Sequence, residues 1–390
     1  MSRARARDLG IVPGVLPTGP LNAITDVPGV RVGQTTLIEG SDIRTGVTAI
    51  VPDRLTGTQT LNAALETGNG FGKIVGTTQI GELGVIETPV LLTGTLNTFR
   101  VADALVSYML SRPGNEDLPT INPVVAETND GFLSDLRRRP VTEEHVFAAL
   151  RGATGGPVDE GAVGAGTGTS ALGFKGGIGT SSRVVDCGAS AGRVTVGVLV
   201  QTNFGGTLTV LGVPVPAGDG GRDAAAEDPA GQGNSCVIVL ATDAPLDSRQ
   251  LGRVAWRSIF GMARTGSDFS GRSGDYALAF STTAPSTTAP STTAPSTTAS
   301  STTASSTTAS STTGPDPGPA GPAGAKTGLL PDSALDPLFV AAMDATEEAI
   351  LNSLFTAETS TGFRGHTRAA VPLDRVRQLC AARGVLRKGA

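Results

Sequence analysis

The sequence predicts an α/β fold, on three observations. Short runs rich in β-branched residues alternate along the chain with longer segments whose apolar residues recur at three- and four-residue spacing, the patterns of strands and helices. A length of 390 residues is ample for a sizeable core. Glycine is abundant at 53 residues while aromatics make up only 4%, which points to tight turns and close backbone approaches around an aliphatic interior.

Taken in order, residues 1–45 read as turns and short strands punctuated by Pro13, Pro17, Pro20 and Pro28. The first firm strand is Val47–Val51, entered through Gly46 and ended by Pro52. Pro89–Thr93 is a second strand, followed by an amphipathic helix through Val101, Ala104, Leu105, Tyr108 and Met109. Pro123–Thr128 is a buried strand running into the polar turn Asn129-Asp130-Gly131. Thr142 is suited to cap a helix that carries Glu143 and Glu144 in its first turn, where the helix dipole favours anions. The glycine-dense stretch 153–181 has neither a GxGxxG after a strand nor a Gly-Lys-Ser/Thr ending, so loops and bulged strands lining a cavity are expected there rather than a nucleotide cradle.

Arg193–Asn203 contains a clean strand that delivers Asn203 at its end. Residues 216–234 read as an exposed linker, and Val237–Thr242 as a short buried strand directly after Ser235. A helix starting near Asp247 or Ser248 is stopped by Gly266, and Ser273-Gly274-Asp275 leads into the strand Tyr276–Phe280. Residues 281–325 hold a five-residue Ser-Thr-Thr-Ala-Pro/Ser repeat that passes into a Gly/Pro-rich tail. With almost no large apolar side chain this insertion cannot offset its ordering entropy, and it is expected to be disordered. A long helix through Leu338–Leu354 and a last one capped by Asp374 and ending at Gly384 complete the chain.

Composition excludes several function classes. A formal net charge of −5 without a dense Lys/Arg stripe argues against a nucleic-acid surface. No run approaches the roughly 18 apolar residues of a membrane span, and the basic opening Arg3, Arg5, Arg7 lacks a following apolar segment of signal-peptide type. Three scattered cysteines, Cys187, Cys236 and Cys380, suit reduced thiols in a cytoplasmic setting better than a disulfide framework. Without CxxC, HExxH or a carboxylate cluster at ligand spacing, no metal or other cofactor is expected. Only two histidines are present, neither beside a nucleophile motif, so a Ser/His/Asp arrangement is poorly supported.

What remains is a set of polar residues at strand ends: Glu127, Asn203, Ser235, Ser273 and Asp275. Strand ends let a sheet aim side chains rigidly into one pocket. The stretch Gly231–Cys236 suits a serine that becomes a chain terminus. If the Asn234–Ser235 bond were cut, Ser235 would carry a hydroxyl beside an α-amine titrating near about 7.7–8.0, a known way to activate a nucleophile. A serine in an ordinary turn ahead of the strand is the simpler alternative from this stretch alone. An Asn amide can donate to an oxyanion, and a carboxylate can anchor an ammonium.

Several longer strings carry a family resemblance. They are Arg7–Gly10, Asn22–Val27, Arg44–Ile50, Glu127–Gly131, Lys175–Arg183, Ala241–Leu246, Ser273–Ser281 and Ala345–Ile350. Together they resemble the DmpA-type L-aminopeptidase/D-esterases, relatives of the β-peptidyl aminopeptidases, across nearly the whole chain apart from the insertion. The resemblance implies a four-layer αββα sandwich of the N-terminal-nucleophile hydrolase type, forming one catalytic domain over residues 1–390. It implies self-cleavage between Asn234 and Ser235 into fragments 1–234 and 235–390, and a homo-oligomer of the processed heterodimers. Ser235 then matches the nucleophile, Asn203 the oxyanion-hole amide, Ser273 and Asp275 the pair that positions and polarises the nucleophile, and Glu127 the carboxylate facing the substrate amine. The implied activity releases N-terminal residues from short peptides, amides or esters through an acyl-enzyme.

Departures from the pattern are the Asp at 275, where some relatives carry Glu, the insertion, and Gly94 in a turn where relatives tend to have Thr-Asn-Thr. Two rival readings are an acyltransferase of the ornithine acetyltransferase type, which tends to use Thr at the cut, and a decayed relative serving as a binding scaffold.

Overall fold

In the computed structural model the strand at the centre of the molecule is the one that follows the Ser235 stretch. The described residues are 3–188, 191–217, 234–283 and 328–387. Most of the expected linker at 216–234 and of the insertion at 281–325 lies outside them.

Two sheets form the middle of the molecule. The first is built from β1 (Val30–Glu39), β2 (Ile43–Pro52), β4 (Ile74–Val75), β6 (Val90–Gly94) and β7 (Val124–Thr128), in the order β1-β2-β6-β7-β4. The second takes β3 (Leu61–Gly70), β5 (Val85–Ile86), β8 (Ile178–Asp186), β9 (Arg193–Phe204), β10 (Asn234–Thr242) and β11 (Gly274–Ser281), in the order β8-β9-β10-β11-β3-β5. Most neighbours are antiparallel, but β6 with β7 and β10 with β11 run parallel and so need crossovers. Helix α2 (Thr98–Leu110) supplies the first and α4 (Ser248–Arg264) the second, after the short α1 (Thr77–Leu83) and α3 (Glu143–Arg151).

The buried clusters define four layers. Val101, Leu105 and Met109 of α2 and Val146 and Leu150 of α3 pack on Val47, Ala49 and Leu91 of the first sheet. Ile50, Val90 and Leu92 of that sheet meet Leu199, Val237, Val239 and Leu278 of the second. On the far side Cys236, Ile238, Leu240 and Ala277 pack against Leu251, Val254 and Ile259 of α4. Ala345, Ala349, Leu351 and Leu354 of α5 (Asp336–Phe355) and Val376 of α6 (Leu373–Ala382) join the same cluster. The αββα arrangement expected from the sequence is the one observed.

Strand β10 is covered on both faces, which explains its unbroken apolar run. Helix α5 is buried nearly all round, so its apolar residues do not form a single stripe. It can lie this close because Gly179 of β8 has no side chain: a Cβ there would stand 2.0 Å from the Ala349 carbonyl oxygen of α5.

Some elements differ from expectation. Residues 30–39 form one long strand rather than short pieces, and 61–70 and 178–186 are full strands. Their glycines and polar residues hide the strand pattern, while cross-strand pairing stabilises them. Asp374 lies inside the first turn of α6, and Pro372 precedes the helix. Thr142 does precede α3, and the backbone amide of Thr142 donates to His145 Nδ1 at 3.1 Å, so His145 also serves the cap.

Candidate active site

Four of the expected site residues sit one position in from a strand end: Glu127 in β7, Asn203 in β9, Ser235 in β10 and Asp275 in β11. Pairing brings the last three of these ends together in the second sheet, while Glu127 belongs to the first. In the antiparallel β9–β10 ladder Asn203 stands directly opposite Ser235. Residues so paired present their side chains on the same face, with Cβ atoms about 4.5–5.5 Å apart. That face is the one of Val237 and Val239, which looks into the layer between the sheets. Ser235 is 3% exposed.

The Asn203 amide is held from both ends. Its Oδ1 accepts from the Ser170 backbone N–H at 2.9 Å, and its Nδ2 donates to the Asn129 carbonyl at 2.9 Å. An Asn amide carries two N–H bonds, so among the described residues one is left for a further acceptor. The Asn129 contact also ties this end of β9 to the turn that follows Glu127.

Ser273 and Asp275 lie on the other neighbour of β10. Ser235 pairs with Gly274 and Cys236 with Asp275 in the parallel ladder. Alternation therefore puts Asp275 with Cys236 on the helix-facing side, opposite the Ser235 side chain. The Ser273 hydroxyl donates to Asp275 Oδ1 at 2.6 Å, and Asn69 Nδ2 donates to Oδ2 at 3.0 Å. Because Ser235 pairs with Gly274, Ser273 stands level with Asn234 and thus beside the 234–235 peptide bond. Burial pushes the Asp275 carboxyl up, while hydrogen bonds from Ser273, Asn69 and the Cys236 backbone pull it back. Burial, and then Asp275, hold the Cys236 thiol well above its ordinary range, which leaves it inert at neutral pH.

Glu127 is 3% exposed and is met by a residue that sequence reasoning passed over, Lys73. Glu127 Oε1 accepts from the Lys73 backbone N–H at 3.0 Å and from its Nζ at 3.1 Å, and Nζ also donates to Thr95 Oγ1 at 2.7 Å. The turn that brings Lys73 here needs Gly72, where a Cβ would stand 3.0 Å from the Tyr276 ring and 3.4 Å from Glu127 Oε1. Tyr276 of β11 thereby joins the site, its hydroxyl pushed to higher pKa by burial and by the charges of Glu127 and Asp275. The signal for Lys73 in the sequence was only a lysine beside a glycine, a pattern common to many surface turns.

Below these groups lies a buried carboxylate. Asp130 is fully buried, and among the described residues neither of its oxygens has a hydrogen-bond partner of good geometry. Gly94 makes room for it: a Cβ at 94 would come within 2.6 Å of both carboxylate oxygens. The departure at 94 therefore accommodates a buried acid. Burial raises Asp130 to about 7, offset in part by the Thr45 hydroxyl and Lys175. Lys175, equally buried, is lowered by burial to about 7 while donating to the Gly166 and Gly176 carbonyls at 2.9 and 2.7 Å.

A carboxyl raised on folding contributes most below its unfolded value of about 3.9, and that contribution fades as pH rises through about 7. Asp130→Asn removes this slope. The difference in Tm between Asp130→Asn and the wild type is expected to grow in the variant's favour from pH 5 to pH 8 in thermal melts. A constant or shrinking difference would contradict the burial argument.

Among the described residues no three His, Cys, Asp or Glu side chains group as metal ligands, and no helix is long and apolar enough to cross a membrane. Comparison with known proteins adds the family. The model of peptidase family S58 matches residues 22–368. The chain is 40% identical to the β-peptidyl aminopeptidase BapA of Sphingosinicella xenopeptidilytica, over 97% of this chain and 91% of that protein. It superposes with a TM-score of 0.81 on the L-aminopeptidase D-Ala-esterase/amidase of Ochrobactrum anthropi, a variant of the Ntn hydrolase fold, at 37% identity over 98% of this chain and 99% of the other. The PH0078 protein of Pyrococcus horikoshii OT3 gives a TM-score of 0.80 at 39% identity, over 98% and 99% of the two chains. The match thus spans both sheets, their helices and the strand ends where the polar residues gather. The chain belongs to peptidase family S58 and is a serine aminopeptidase with the N-terminal-nucleophile hydrolase fold.

Proposed function

We propose that Ser235 is the nucleophile, that it becomes a chain terminus by cleavage of the Asn234–Ser235 bond, and that the mature enzyme removes N-terminal residues from short peptides, amides or esters. The observation that carries this reading is the register at the head of β10. It faces the Ser235 side chain with the Asn203 amide on one flank and sets Ser273 beside the 234–235 bond on the other.

In maturation the Ser235 hydroxyl attacks the Asn234 carbonyl carbon, the C–N bond breaks, and the nitrogen leaves as the free α-amine. Water then hydrolyses the resulting ester. In turnover the same oxygen attacks the substrate carbonyl while the α-amine takes its proton and passes it to the leaving nitrogen, and water then hydrolyses the acyl-enzyme ester to release the acid and free Ser235 Oγ. The free Asn203 N–H supports the oxyanion, and Glu127 receives the substrate ammonium. Ser273, whose proton is committed to Asp275, offers its lone pairs to the α-amine and so orients it.

The fragments are 1–234 and 235–390 of one catalytic domain. Buried Cys187, Cys236 and Cys380, without a disulfide framework, support a cytoplasmic location. Exposed Phe71, Leu83, Trp256 and Phe260 support assembly of the processed heterodimers into a homo-oligomer. Membership of a peptidase family disfavours the acyltransferase and scaffold readings.

N-terminal sequencing of purified protein, together with aminoacyl p-nitroanilide hydrolysis, tests the reading. A new terminus at Ser235 and release of nitroaniline are expected; an active, uncut chain would overturn the maturation step. Asn203→Ala is expected to lower kcat about 100- to 1,000-fold with KM nearly unchanged. A change confined to KM would remove Asn203 from the oxyanion role.

A further inference from the structure

The mechanism asks Glu127 to receive one ammonium, yet the carboxylate already has one. Both Lys73 hydrogen bonds fall on Oε1, and Oε2 has none among the described residues. Lys73 is held there by three contacts: its backbone N–H to Glu127, its Nζ to Glu127, and its Nζ to Thr95. Its side chain is 37% exposed where that of Glu127 is 3% exposed, so the ammonium is the part of the pair that an arriving ligand meets.

An aminoacyl substrate that docks its own ammonium on Oε2 puts two cations on one nearly buried anion. Asp130, an acid in electrostatic range of Glu127, is itself paired through space with the buried Lys175 and adds no free negative charge. Like charges so placed repel, and the repulsion is strong where water is scarce. A substrate whose acyl group also carries a carboxylate near its amine removes the imbalance. Its ammonium takes Oε2, its carboxylate takes the Lys73 ammonium, and the four charges alternate.

We propose that Lys73 is a specificity-determining residue that directs this aminopeptidase to acyl groups bearing a carboxylate beside the free amine, aspartyl in α- or β-linkage being the simplest. The inference rests on the roles given above to Ser235 and Glu127. The chemistry is unchanged: Ser235 Oγ forms the ester, the bond from the acyl carbon to the leaving nitrogen breaks, and the proton passes through the α-amine.

Two matched substrate pairs test it. L-aspartyl and L-asparaginyl p-nitroanilide differ only in carboxylate against amide. β-Aspartyl and 3-aminobutanoyl p-nitroanilide differ only in carboxylate against methyl. L-alanyl and β-alanyl p-nitroanilide report whether the enzyme works at all. In the wild type the acidic member of at least one pair is expected to exceed its partner in kcat/KM by about tenfold, the gain from replacing a neutral contact by a charge-assisted one. In Lys73→Met the ratio should fall to about one or below, and Lys73→Arg should restore it.

Release from the alanyl substrates with no acidic preference in either pair would overturn the proposal, as would a preference that survives in Lys73→Met. The wild-type ratio decides the matter if that variant does not fold. No release from any of the six substrates would instead overturn the aminopeptidase role given to Ser235, and this inference would fall with it.

Discussion

Substituting Ser235 by Ala is expected to leave one uncut chain and to lower hydrolysis of any aminoacyl substrate by about 10,000-fold or more, the usual loss when a nucleophile that acts as part of a unit is removed. Both effects follow from the same oxygen, because maturation and turnover each begin with its attack on a carbonyl. The fold should survive. Ser235 lies in a strand paired on both sides, and the backbone hydrogen bonds of those ladders do not depend on the hydroxyl. Circular dichroism and thermal melts of the variant therefore serve as the control. A variant that still splits, read by denaturing gel and N-terminal sequencing, would mean that the cut is made by another nucleophile or by a contaminating protease. A variant that does not split but retains activity would separate the two roles and remove Ser235 from catalysis.

Glu348→Ala should be the most damaging single change to stability outside the active site. Glu348 sits on α5 with its side chain fully buried, and so does its partner Arg183 on β8. Arg183 Nη2 donates to Glu348 Oε2 at 2.7 Å and to the Pro13 and Asp344 carbonyls at 3.0 Å, and Nη1 donates to the Ser182 carbonyl at 2.7 Å. Arg7 donates to Oε1 at 2.8 Å, and the Asn22 amide donates to the same oxygen. One carboxylate thus ties the N-terminal segment, the second sheet and the helix that covers it.

Burial alone would push the Glu348 carboxyl up, but Arg183 and Arg7 outweigh it and hold the group below its ordinary range. Its contribution is therefore present above the unfolded value of about 4.3 and is lost as pH falls through the lower folded one. Removing it leaves a guanidinium buried without its counter-charge, at a cost of about 3–5 kcal/mol. For a chain of this size that is a Tm lower by about 4–6 °C. The double change Arg183→Met with Glu348→Leu should recover most of the loss, since the pair is replaced rather than broken. A Glu348→Ala melt within a degree of the wild type would show that water or rearrangement satisfies Arg183.

Legibility in the sequence followed the physical source of each signal. Helices α2, α4 and α5 and strands β7, β9, β10 and β11 were readable because burial of a stripe or a whole strand writes itself into local residue spacing. Strands β1, β3 and β8 were not, since glycine and polar residues occupy positions where another backbone or a solvated edge decides what fits. Gly179, pressed against the Ala349 carbonyl, reads as a strand breaker until α5 is seen lying on it.

The site divides in the same way. The sequence by itself determined the chemical inventory: a serine ahead of an apolar strand, an Asn and a Glu at strand ends, and a Ser and an Asp two residues apart where another strand begins. Their kinds and approximate places follow from strand periodicity and from motif strings, which are local. Only the tertiary structure decided that Asn203 faces Ser235, that Asp275 lies on the opposite side of the sheet from the Ser235 side chain, that Lys73 reaches Glu127, and that Asp130 and Lys175 are buried beneath them. Those facts depend on which strands pair, in what register, and on which turn crosses between the layers. Such long-range pairings are set by the burial of the whole chain, and no stretch of neighbouring residues contains them.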